Sequence, residues 1–230
     1  MIFHIPKTTK LLHYGLQRSG TNYLETLLKN NYRVRFLNKD GHRNSPLSKH
    51  FRLYDEKSII PGPLYQNDFI IPDFASFEKL LKIAPHYYII ISKDPYSWLV
   101  SYENWAQKCR WSKVAHHYIA EYNLFYGKWL DFSRETDKIF FVRYIDLLID
   151  PAKELGRLEK LLGLKEKWFR GWNRKMIRKV SQSRKFSDDR RDYYFKERYM
   201  QYYTKEELQI VNDVLDFNVV QRLSYKKIGG

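Results

Sequence analysis

One cysteine, Cys109, is all that the 230-residue chain contains. No internal disulfide can form, and a zinc site built from cysteines is excluded. Long apolar runs are missing too. No segment approaches the roughly 18 consecutive apolar residues of a bilayer-spanning helix. Residues 1–13 have neither the apolar core nor the small-residue cleavage site of a signal peptide, so the expected compartment is cytoplasmic. Action on an exported product would then come before export, or need a targeting segment outside this chain. There is no internal repeat and no low-complexity linker. Acidic residues are in deficit: 26 Asp and Glu face 41 Lys and Arg, a net charge of +15. That excludes an acidic solvating protein and points to an anionic partner.

What is present is globular. Hydrophobic residues make up 43% and aromatics 17%, enough to fill the core of one α/β domain over 1–230. Strand and helix patterns alternate. Leu11, Leu12 and Tyr14 form a short apolar strand ending at Gly15. Tyr23, Leu24, Leu27 and Leu28 then repeat at helical spacing from Thr21 to Asn30. Val34 to Leu37 reads as a second strand. Residues 38–72 hold four of the eight prolines and read as a long loop, of the kind that covers a site. Asp73 can cap a helix. Tyr87 to Ser92 is the strongest strand, apolar on both faces as a central parallel strand should be. Asp94-Pro95 reads as an N-cap followed by proline at the first helical position. A longer helix spans Lys113 to Phe132, and Ile139 to Val142 is a further strand. Pro151 opens a helix that ends at Gly163. Thr204 with Glu207 forms a capping box. This order predicts a parallel sheet covered by helices on both faces.

Two strand-to-helix junctions carry chemistry. Gly15-Leu16-Gln17-Arg18-Ser19-Gly20-Thr21-Asn22 lies between the first strand and the first helix, where a phosphate-binding loop belongs. Its glycines have the spacing of a Walker A loop. Thr21 stands where the Walker lysine should be, and Asn22 replaces the metal-binding hydroxyl. The loop's own cation, Arg18, comes earlier. A triphosphate with Mg²⁺ would be poorly served; a nucleotide with one anionic group on its 5′-phosphate would not need the missing residues. At the second junction Lys93 ends the strongest strand, and Ser97 and Ser101 share a face of the next helix. Ligands bind at the C-terminal edge of parallel sheets, so Lys93 and Ser101 are candidates to grip a second phosphate. Asp94 can also be read as a Walker B carboxylate, although its place before Pro95 already gives it a capping role.

With both segments in view, the chain resembles the sulfotransferases that use 3′-phosphoadenosine 5′-phosphosulfate (PAPS). The family's 5′-phosphosulfate loop matches Arg18-Ser19-Gly20-Thr21-Asn22-Tyr23-Leu24. Its 3′-phosphate motif matches Lys93-Asp94-Pro95 with Ser101 and Tyr102, Lys replacing the usual Arg. Tyr144-Ile145-Asp146-Leu147, Pro151 and Leu161-Leu162-Gly163-Leu164 match a third motif, and Tyr202 to Tyr225 resembles the family's C-terminal helix pair. The resemblance implies a three-layer, P-loop-like α/β fold with a central parallel sheet, and transfer of a sulfuryl group to a hydroxyl or amine of a glycan, lipid or small molecule. It implies that Arg18 neutralises charge as the sulfate leaves. Gln17, Ser19, Gly20, Thr21 and Asn22 would surround the 5′-phosphate, Lys93 and Ser101 would hold the 3′-phosphate, and Tyr23 and Tyr144 would pack on the adenine. The product would be 3′-phosphoadenosine 5′-phosphate (PAP), and no metal is required.

An acceptor hydroxyl benefits from a general base. Ser48-Lys49-His50-Phe51 is similar to the family's basic segment that carries a histidine, which makes His50 the candidate; His42 and Glu25 are the alternatives. His116 and His117 are adjacent on a helix, point about 100° apart, and read as structural. His13 is expected to pack or hydrogen-bond within the first strand. From Lys165 to Lys205 there are 14 Lys and Arg against 5 Asp and Glu. Within this run Ser183-Arg184-Lys185 resembles, without its glycine, the family's basic C-terminal loop, which implies that Arg184 and Lys185 close over the 3′-phosphate; the remainder is either an attractor for an anionic acceptor or a solvated face. Other readings are a Mg²⁺-dependent nucleotide or small-molecule kinase, a basic nucleic-acid-binding protein using its interleaved aromatics, and a family member without catalysis.

Overall fold

The computed structural model describes residues 8–42, 44–53, 71–110, 115–167 and 188–229. Four parallel strands, β1 (Thr9–Tyr14), β2 (Val34–Phe36), β3 (Tyr87–Ser92) and β4 (Ile139–Arg143), lie in the order β2-β1-β3-β4. Leu12 of β1 pairs with Tyr88, and Ile90 of β3 pairs with Phe141. Helices α1 (Thr21–Asn31), α2 (Phe74–Leu81), α3 (Pro95–Lys108) and α4 (Ala115–Phe132) fill the crossovers. After β4 come α5 (Tyr144–Ile149), α6 (Pro151–Leu162), α7 (Asp188–Phe195), a 3₁₀ turn (Arg198–Tyr202), α8 (Lys205–Val214) and α9 (Phe217–Arg222).

The alternation of side chains along each strand creates two cores. Leu12, Tyr14, Tyr88 and Ile90 face one cluster with Trp98, Tyr126 and Trp129. Leu11, Ile89, Ile91 and Val142 face the other with Leu24, Leu28, Tyr144 and Leu155. Three layers result, as the sequence pattern predicts. Each fully buried Leu or Ile contributes about 1.5–3 kcal/mol relative to exposure, so the sheet is anchored from both faces.

Local signals set the helix ends. Asp73 accepts from the Ser76 N–H and caps α2. Asp150 accepts from the Lys153 N–H ahead of Pro151, and Gly163 closes α6 with a left-handed φ of 57°. Thr204 and Glu207 form the expected reciprocal capping box at α8. β1 begins at Thr9, two residues before its apolar run, because Thr9 and Lys10 pair with Val34 and Arg35. Helices α5 and α7 had no counterpart in the sequence reading.

Candidate functional site

All strands are parallel, so their C-terminal ends share one edge of the sheet. The loop after β1, the junction after β3 and the start of α5 after β4 are therefore neighbours there.

The β1 loop turns under tight constraints. A Cβ at Gly15 would lie 2.8 Å from both the carbonyl oxygen and the Cγ2 of Ile91, and 2.5 Å from Ser19 Oγ. Only glycine fits. Arg18 has φ 71° and an exposed side chain, whereas Ser19 beside it is fully buried. Gly20 is the N-cap of α1 at φ 103°, and a Cβ there would meet Tyr144 at 2.5 Å. Gly20 has no side chain to cap the helix. The N–H groups of Tyr23 and Leu24 return to the Gly20 carbonyl, and those of Gly20, Thr21 and Asn22 lie at the N-cap and in the first turn, at the positive end of the helix dipole. Thr21 is buried, and Asn22 is exposed and accepts a bond from Lys49 Nζ.

A second loop strand runs against this one. The Gly15 N–H donates to the Lys49 carbonyl at 3.0 Å, and His50 Nδ1 is 2.7 Å from the Gly15 carbonyl. A carbonyl only accepts, so Nδ1 carries the proton and Nε2 keeps its lone pair. Burial, reinforced by Arg52 and Lys49, lowers the His50 pKa to about 3, so the ring is neutral near pH 7. Arg52, 1% exposed, pairs with the fully buried Glu121. It also donates to the Gln17 side chain and the His50 carbonyl, each at 2.6 Å. Trp98 Nε1 donates to the Gln17 carbonyl at 2.9 Å.

The β3 junction is built differently. Lys93 is 3% exposed. Its ammonium donates to Ser101 Oγ at 2.6 Å and to the Tyr194 hydroxyl at 2.9 Å, and lies 4.5 Å from the Tyr194 ring centroid. Asp94 caps α3 by accepting from the Ser97 N–H at 2.9 Å. Burial raises the Asp94 pKa to about 6, against the stabilising Ser97 and Tyr199 hydrogen bonds and the Lys93 charge. The capping role thus holds for Asp94. A cavity of about 190 Å³ opens here, with Lys93, Asp94, Tyr144, Tyr194 and Tyr225 in its wall.

The remaining sequence candidates fall as follows. Tyr23 is buried, its ring edge-on to Tyr144 at 5.7 Å and its hydroxyl aimed at the Leu147 carbonyl. It lies in the core beneath the loop, whereas Tyr144 also reaches the cavity wall. Glu25 is occupied by Lys29 at 2.5 Å, with Lys49 and His13 further off. His42 is exposed. His13 packs edge-on against Phe36 and bonds Asn38, as expected of a strand histidine. Arg184 and Lys185 lie outside the described residues. Arg52, Glu121 and Tyr194 were not singled out by sequence, because their partners are distant in the chain. Among the described residues no cluster of His, Cys, Asp and Glu could hold a metal ion, and no helix is long and apolar enough to cross a membrane.

No protein-family model matches the chain, and no curated protein matches it by sequence. Solved structures do. The sulfotransferase domain of the Synechococcus PCC 7002 olefin synthase superposes with a TM-score of 0.55 at 16% identity, covering 96% of each chain. Mouse sulfotransferase SULT7A1, solved in complex with PAP, gives a TM-score of 0.45 at 12% identity over 90% of this chain and 83% of its own. The first of these gives the architecture a name: the chain has a sulfotransferase fold.

Proposed function

We propose that this chain, having the sulfotransferase fold, transfers a sulfuryl group from PAPS to a hydroxyl or amine of an acceptor. The observation that carries the reading is a pair of differently built anion subsites at the ends of adjacent strands. One is the uncapped start of α1 beside Arg18; the other is the buried Lys93–Ser101 pair. A 5′,3′-bisphosphorylated nucleotide needs two such subsites. The loop lacks the lysine and hydroxyl that a Mg²⁺-bound triphosphate requires.

PAPS supplies a sulfuryl group activated as an anhydride with its 5′-phosphate. The Gly20–Asn22 N–H groups would bind that phosphate, a fixed array that needs no reorganisation as charge builds up on it. Arg18, exposed and adjacent, would neutralise the oxygen freed when the sulfur–oxygen bond breaks. Lys93, held by Ser101, would bind the 3′-phosphate, and Tyr144 would line the cavity beside it. His50 Nε2 would take the acceptor's proton as the new bond to sulfur forms. Its pKa of about 3 makes it a weak base in the free protein; an anion beside it acts in the opposite sense and raises its proton affinity. Arg184 and Lys185 belong to this proposal only through their sequence resemblance.

Calorimetry and thermal shift with PAP, AMP and ATP, each with and without Mg²⁺, test the reading, since a ligand that binds only the folded state raises its melting temperature. Metal-independent PAP binding, with AMP much weaker, is expected. Preference for ATP with Mg²⁺ would replace the proposal with a kinase. With PAPS and an acceptor panel, Arg18→Ala should lower PAP release by roughly 10²–10³-fold, the scale of losing one electrostatic stabiliser, with the fold intact. Near-normal turnover would remove Arg18 from the chemistry.

A further inference from the structure

The Arg52–Glu121 pair lies 69 residues apart in sequence and almost wholly out of solvent. Burying an ion pair carries a desolvation penalty that apolar residues of similar volume avoid, so its presence is weak evidence of a stabilising role. The remaining guanidinium bonds say more. Arg52 Nε donates to Glu121 at 2.6 Å. One terminal nitrogen reaches the His50 carbonyl and the other reaches Gln17 Oε1. Gln17 precedes Arg18 in the β1 loop, and His50 is the proposed base on the opposing strand. One rigid planar cation therefore bonds to both halves of the proposed site, and a carboxylate behind it fixes its plane.

We propose that Arg52 is a positioning residue, oriented by Glu121, that sets the register of the β1 loop against the His50 segment and so keeps the Gly15 carbonyl where it holds the His50 proton on Nδ1. The inference rests on the proposed function for the meaning of that register, but the geometry it predicts is measurable without any ligand. The charged and titratable groups acting on the His50 ring are Arg52, Lys49 and His13, with the Gly15 carbonyl as its direct partner.

The test is ¹⁵N–¹H imidazole spectroscopy, with His50 assigned by comparison with His50→Ala, together with PAP calorimetry. The wild type should show one neutral His50 tautomer, protonated at Nδ1, down to about pH 4. The double variant R52M/E121L replaces the ion pair with apolar residues. Folded by circular dichroism, it should show mixed tautomers, a His50 titration moved upward, and PAP affinity weakened by about tenfold. A folded double variant with the wild-type His50 spectrum overturns the proposal. Should the double variant fail to fold, Arg52→Lys decides: it keeps the charge but replaces the rigid planar fork with a compact ammonium on a flexible stem, which cannot span the Gln17 and His50 acceptors from one fixed plane. Folded Arg52→Lys with wild-type tautomer and titration overturns the proposal equally; mixed tautomers support it. If wild-type protein does not bind PAP, the function proposed above fails, while the spectra still decide the role of Arg52.

Discussion

The two helices that start at the C-terminal edge of the sheet, α1 and α3, begin in opposite ways. At α1 the N-cap is Gly20, which has no side chain to offer the first turn. At α3 the N-cap is Asp94, whose carboxylate accepts from the Ser97 N–H, with Pro95 at the first helical position removing one more donor. The α1 start has no side-chain cap; the α3 start has one. The proposed function would therefore have backbone hold an anion at the first junction and side chains hold one at the second, where Lys93 and Ser101 stand. Under the proposed function, the first junction would do without a Walker lysine and the second would depend on its cation.

The harshest way to break the comparison is Gly20→Ala. The residue must hold φ 103° with its new methyl 2.5 Å from Tyr144. Strain and overpacking together should cost roughly 2–5 kcal/mol. Denaturant melts should show that loss, and any folded remainder should bind PAP poorly. Wild-type stability would mean that the loop relaxes without its left-handed turn.

A second probe uses pH, because the junctions titrate in opposite directions. At the β1 side, burial lowers the pKa of His13 from 6.5 to about 4 and that of His50 to about 3. A depressed folded pKa gives stability that is present above 6.5 and lost as the pH falls toward 4. For the fully buried His13 the loss is on the order of 3 kcal/mol. At the β3 side the pKa of Asp94 is raised from 3.8 to about 6. Its contribution is full below 3.8 and is lost as the pH rises through 6, so it offsets part of the histidine loss. Melts from pH 7 to 4 should fall in stability, less steeply in His13→Phe and more steeply in Asp94→Asn. Parallel slopes in all three would contradict the assignment.

Lys93→Met should separate the subsites. Losing a charge-assisted contact costs about 2 kcal/mol, roughly thirtyfold in affinity. PAP binding should weaken by that factor while AMP, which lacks the 3′-phosphate, binds as before. Equal weakening of both nucleotides would place Lys93 elsewhere in the site.

The ease of reading these regions from sequence follows from the range of the interactions. The YYIIIS strand, the Asp73 and Asp94 caps, the Pro151 and Gly163 ends of α6 and the Thr204 box were legible because each signal and its target lie within a few residues. The Arg18 loop and the Lys93–Ser101 pair were legible because a strand-to-helix junction and an i, i+8 spacing fix them locally. Helix α5 was not: it follows β4 directly, its N-cap Arg143 makes no capping bond, and no glycine or proline marks the break. Helix α7, Asp188–Phe195, lacks a clear apolar stripe. Arg52 with Glu121 and Lys93 with Tyr194 are contacts across 69 and 101 residues. No local pattern in the sequence marks which distant partner a buried cation meets.

The gentlest probe is a helix start that caps itself, that of α8. Thr204 accepts from the Glu207 N–H at 3.1 Å, and Glu207 Oε2 accepts from the Thr204 N–H at 2.8 Å. Removing the hydroxyl in Thr204→Ala leaves the second bond in place, so the expected cost is about 1 kcal/mol. PAP affinity should not change, since this start is satisfied by its own side chains and offers nothing to an anion. A shift in PAP affinity with Thr204→Ala would mean that α8 is coupled to the sheet edge, and that a helix start can be capped and still matter to the ligand.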